Sequence, residues 1–78
     1  MALEEVHVEA VSPQEIGRIL EVTDGLGLHR ESVVVPLPKR SPGVVRRLAG
    51  GKLEIVVEAG ADFESWLAEL EPRIRDLG

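Results

Sequence analysis

The chain has no cysteine and no tyrosine, and only one tryptophan, one phenylalanine and one methionine. Without cysteine, disulfide staples and thiolate zinc sites are excluded, and a reducing, cytoplasmic setting is the expectation. Asparagine is absent and glutamine occurs once. Scarcity of such thermolabile side chains, with arginine outnumbering lysine, makes the composition thermophile-like. So few aromatics leave little surface on which nucleobases could stack. No run of about 20 apolar residues occurs, so no membrane span is expected, and the first residues do not read as a secretory leader.

What the chain does contain is acid. Fourteen Asp and Glu stand against nine Lys and Arg, giving a net charge of −5. That balance argues against nucleic-acid binding by the molecule as a whole. The 78 residues are read as a single domain, 1–78. A chain this short buries only about 60% of its unfolded surface, so its core is marginal on its own. With disulfides excluded, a partner subunit is the staple most available to it.

Periodicity divides the chain into six elements. "LEEVHVEAV", residues 3–11, alternates polar and apolar as a half-buried strand does. "SPQE" follows, with Ser12 as N-cap, Pro13 at the first helical position and Glu15 closing a capping box. A helix over about 13–24 then presents Ile16, Ile19, Leu20 and Thr23 on one face, and Asp24-Gly25 is read as its end. Gly17 inside it implies a close backbone neighbour. "ESVVVPL" reads as a strand, with Pro36 and Pro38 confining it to an edge. "VVRRL" and "KLEIVVEA" form a hairpin, with Gly50-Gly51 read as a two-residue turn. A last helix, capped by Asp62, is expected to run bent from 62 to 77, with Pro72 on its outer side. The order β-α-β-β-β-α predicts an α+β two-layer sandwich, two helices on a mostly antiparallel sheet.

The candidate site is a basic island. "PLPKRSPGVVRRLAGGK" carries Lys39, Arg40, Arg46, Arg47 and Lys52 and no acid. These five are the candidate residues for binding an anion or a partner. A two-residue turn would place Arg47 opposite Glu54 and leave Arg46 on the apolar face, at its rim. The same register puts Val34, Val45 and Val56 together on the side away from the helices, an apolar row suited to a homodimer interface.

Other chemistry is thinly supplied. Glu5, His7 and Glu9 share a strand face, but the span from the first to the last is about 13 Å, too far for one ion. His29 stands alone. None of the serines lies in a nucleophile-elbow pattern. No catalytic residue, metal ligand or cofactor is assigned. The expectation is a soluble, non-catalytic interaction or regulatory module that self-associates, with a further protein partner open to it. The alternative is anion or nucleic-acid binding through 36–52.

Phosphate-backbone binding would fall steeply with salt. No complex with duplex DNA or RNA is expected at physiological ionic strength in a fluorescence-anisotropy titration. A salt-sensitive micromolar complex that is lost when Lys39 and Arg40 become alanine would contradict this.

Overall fold

The computed structural model describes residues 9–77. Most of the expected first strand, with Glu5 and His7, lies outside the described residues. Its end is visible. Val11 N–H donates to the Leu37 carbonyl at 2.8 Å and Lys39 N–H to the Glu9 carbonyl at 2.9 Å, an antiparallel bridge centred on Ala10 and Pro38.

Helix α1 spans Pro13–Gly25. Its capping box forms as expected: Glu15 N–H donates to Ser12 Oγ at 3.1 Å and Ser12 N–H to Glu15 Oε1 at 3.0 Å. Ile19 and Thr23 are buried, and the Thr23 hydroxyl is satisfied by the Leu20 carbonyl at 3.1 Å. The helix ends differently from expectation. Gly27, not Gly25, takes the left-handed conformation, with φ of 80°. Leu28 N–H reaches the Thr23 carbonyl and Gly27 N–H the Asp24 carbonyl, both at 3.0 Å. This paired closure satisfies two carbonyls that the helix leaves free. It also turns Leu28 back against the core.

A short 3-10 turn, Arg30–Ser32, leads into β1, Val33–Val34. Strands β2, Val44–Arg47, and β3, Leu53–Val56, complete a sheet of order β1-β3-β2. The fold is α+β, and its sheet is mixed: β1 runs parallel to β3 and β2 antiparallel to it. To reach the far edge, the chain between β1 and β2 crosses beyond the end of β3. Arg40 N–H donates to the Val57 carbonyl at 3.0 Å, and Ala59 N–H to the Arg40 carbonyl at 2.8 Å. At Gly43 the two segments nearly touch. A β-carbon there would lie 2.7 Å from the Val56 carbonyl oxygen and 2.8 Å from Glu58 N, which only glycine avoids.

The hairpin turn has three residues, not two. Leu48 N–H donates to the Lys52 carbonyl at 2.7 Å, and Gly51, with φ of 89°, donates to the Leu48 carbonyl at 2.9 Å. A β-turn followed by a left-handed glycine is a common three-residue hairpin loop. The extra residue shifts the pairing by one. Val44 faces Val56, Val45 faces Ile55, Arg46 faces Glu54 and Arg47 faces Leu53.

The core lies on one side of the sheet. Leu53, Ile55 and Val57 point to it and meet Val11, Ile19, Trp66, Leu67, Leu70 and Ile74, with Val33, Val35 and Val45 packed at the border. The last helix is two segments, α2 at Phe63–Ala68 and α3 at Leu70–Asp76, in place of the single bent helix expected. Pro72 has no N–H for the Ala68 carbonyl, and its ring crowds that same carbonyl. The ladder therefore breaks at Glu69. Both segments contribute to the core, α2 through Trp66 and Leu67 and α3 through Leu70 and Ile74, while Leu77 is exposed. Among the described residues no helix is long and apolar enough to cross a membrane.

Gly17 departs from expectation. A β-carbon there would meet nothing within 4 Å, so no close neighbour requires the glycine. Gly17→Ala is therefore expected to stabilise the fold by up to ~1 kcal/mol. The readout is a higher urea midpoint at unchanged slope; a lower midpoint would mean the exposed glycine has a structural role.

Candidate functional site

The basic island does not act as one surface. Lys39 is drawn inward. Its Nζ lies 3.3 Å from Glu15 Oε2 and 6.0 Å from the centre of the Phe63 ring. Capping box, crossover segment and α2 are tied together at this point. A lysine held this way is an internal clamp and is not available to a ligand.

Arg46 is also engaged. The three-residue turn places it beside Glu54, and its Nε lies 2.6 Å from Glu54 Oε1. It stands on the face of the sheet away from the helices, not at the rim of the apolar face. Arg47 takes the other side, opposite Leu53, and is exposed at the sheet edge. Arg40, Arg47 and Lys52 are exposed and have no carboxylate partner among the described residues.

The expected valine row is altered by the same shift. Val45 pairs with Ile55 and packs against the core. It cannot join Val34 and Val56 on the outer side. Val44 takes its place there, facing Val56. Val56 is 8% exposed and Val44 37% exposed. The outer face thus carries Val34, Val44 and Val56, with Val44 facing Val56 as an apolar strip and Val34 beside Glu54.

The strip lies in a groove of about 380 Å³. Val44 and Val56 are cross-strand neighbours on this face, and Pro36 and Pro42 line the groove from the crossover segment. Arg40, Arg46 and Glu54 supply its polar groups. Sequence reasoning missed this groove, because Pro36 and Pro38 signal only an edge strand and nothing local shows that the following segment lies as a wall beside β3. The signal was present in Gly43, whose lack of a side chain permits that approach.

Further surface depressions lie on the helical side. One, of about 620 Å³, runs between the starts of α1 and α2 past Gly17 and Phe63. Another, of about 360 Å³, lies over Trp66, and a third, of about 320 Å³, lies beside Arg18, Val22 and Leu67. None of these brings together a nucleophile and a base. The Ser12 hydroxyl caps α1, and the Ser65 hydroxyl donates at 3.0 Å to Oδ2 of Asp62, the cap of α2. Among the described residues no three His, Asp or Glu side chains gather as metal ligands.

No family model, curated protein or solved structure matches this chain.

The electrostatics of the clamp have a measurable consequence. The Ser12 backbone N–H is the main cause holding the Glu15 carboxyl below its ordinary value of 4.5; burial opposes the shift, and Lys39 adds to it. A carboxyl whose folded pKa is depressed stabilises the fold above its unfolded pKa, and that stabilisation is lost as pH falls through the folded value. Glu15→Gln keeps an acceptor for Ser12 but removes the titration. The wild type is therefore expected to lose stability more steeply than the variant below about pH 4.5. Urea melts across the acid range provide the check, and parallel curves would contradict the assignment.

Proposed function

We propose that this chain is a small, soluble, non-catalytic interaction module that works as a homodimer in the cytoplasm, joined along the β2 edge of its sheet. The observation that carries the reading is the outer edge of that strand, which is unpaired among the described residues. Leu48 directs both its N–H and its carbonyl into the hairpin. Backbone groups alternate along an antiparallel strand, so Arg46 and Val44 also point to β3. Val45 and Arg47 then point away from it, into solvent. Such an edge is a template for another strand.

A second copy suits this edge. Two β2 strands related by a two-fold axis can pair about Val45. Each Val45 N–H then meets the carbonyl of Val45 of the partner subunit. Arg47 falls opposite Gly43 of the partner subunit, so no like charges stand face to face. The result is a continuous six-stranded sheet. The gain matters to a domain of this size, whose core alone is marginal. Val45, packed at the border of the core, would be closed off at the join.

A second reading, anion binding through 36–52, is favoured by the three unpartnered cations Arg40, Arg47 and Lys52. It is weakened for extended polyanions because Lys39 and Arg46 are already committed to carboxylates.

Light scattering tests the dimer. The expected mass is twice the 8.5 kDa of the chain. Arg47→Pro removes an outward N–H, leaves the β3 ladder intact and is tolerated on an edge; it is expected to give a folded monomer by circular dichroism. Arg46→Pro removes an inward N–H and is expected to destabilise the fold itself. A wild-type monomer at high concentration would end the proposal.

A further inference from the structure

The groove on the open face of the sheet has features that edge pairing does not use. It lies on the side away from the helices, and joining two β2 edges leaves it uncovered. Its size falls in the range of small-ligand pockets. Its base is apolar, formed by Val44 and Val56, with Pro36 and Pro42 alongside. At its polar end are Arg40 and the ion pair of Arg46 with Glu54.

The charges in the groove can be assigned one by one. Glu54 is mostly buried and neutralises Arg46 through a single contact at Nε. The terminal nitrogens of Arg46 have no hydrogen-bond partner among the described residues. Arg40 has no carboxylate partner among them either. The lining residues therefore set two guanidinium groups against one carboxylate, and the neighbouring Glu58 carboxylate is engaged by Gly43 N–H. Guanidinium matches a carboxylate in planar, two-point geometry. A single charge suits a monocarboxylate; a phosphate dianion would bring one negative charge too many.

The arrangement is also fixed in advance. The Arg40 backbone is bonded on both sides, to Val57 and Ala59. Gly43 N–H donates to Glu58 Oε1 at 2.8 Å and anchors the crossover wall. Backbone ordering therefore adds little to the cost of binding, which falls on the exposed Arg40 and Arg46 side chains.

We infer that this groove binds an apolar monocarboxylate of small-molecule size, its tail along Val44 and Val56 and its carboxylate on Arg40 and Arg46. This inference stands apart from the dimer, since every group it uses belongs to one chain.

The test is a titration of isotopically labelled protein with octanoate, followed by amide chemical shifts, with octanol as the neutral control. Saturable shifts centred on Arg40, Val44 and Val56 are expected with octanoate. Octanol and the Arg40→Gln variant are each expected to bind roughly tenfold more weakly, as loss of a charge-assisted bond implies. The Arg40 side chain is exposed, so the variant keeps its fold, and its unchanged amide spectrum outside the groove verifies this. Equal binding of octanol, shifts located on the helical side, or no saturation at millimolar octanoate would overturn the inference. So would tighter binding of a short peptide with a free carboxyl end, which would assign the groove to a protein terminus instead.

Discussion

The left-handed glycine at the hairpin tip governs which face of the sheet each side chain of β2 takes. Gly51 closes a three-residue turn, and the turn sets the pairing of β2 with β3. Side chains alternate along a strand, so a slip of one residue would exchange the two faces of β2. With this register, Val45 joins the core beside Ile55, and Arg46 leaves it to meet Glu54. The alternative would set Arg46 opposite the fully buried Ile55, where its desolvation has no compensating partner, whereas the observed register leaves Arg47 opposite Leu53 at the exposed edge. Two neighbouring glycines and one acidic partner therefore decide between a dry core and a charged one.

β3 is the strand on which the rest converges. It pairs on both edges, and Leu53, Ile55, Val56 and Val57 are all buried. Burial of this apolar surface is the main stabilising term, at about 25 cal/mol per Å². Ion pairs play a different part. Arg18 reaches Glu64 at 2.7 Å and Arg30 reaches Asp24 at 2.8 Å, both on the exposed surface. Exposed pairs contribute about 0–1 kcal/mol each. Lys39 with Glu15 is the more sheltered case and links three elements at once.

Much of the fold could be read from the chain. Ser12, Pro13 and Glu15 announced α1, because a capping box depends only on residues close in sequence. The apolar faces of α1 and of Phe63–Leu77 followed from their spacing. What could not be read were facts set by distant contacts. Gly50-Gly51 is compatible with turns of two or three residues, and spacing alone did not separate them. The parallel pairing of β1 with β3 required knowing where the 36–43 segment goes. The break at Glu69 was foreshadowed by Pro72, but a bend and a break use the same proline. At the candidate site, the cations were legible as residues and not as a surface. Lys39 and Arg46 found acids that lie far from them in sequence or across the hairpin, which left Arg40, Arg47 and Lys52.

The path of the chain around β3 also orders the events of folding. β2 and β3 are neighbours in sequence and can close as a hairpin, a local step that takes on the order of microseconds. β1 cannot pair until β3 exists as a strand, and its pairing encloses the whole of β2 within the loop it forms. The crossover segment then has to settle against 56–58, where Gly43 leaves room for a backbone and for nothing larger. Non-local closure of this kind is slow compared with local pairing. The outer edge of β2 is therefore complete while the opposite side of the sheet is still open. A strand edge formed this early is exposed to other strands before the core is complete.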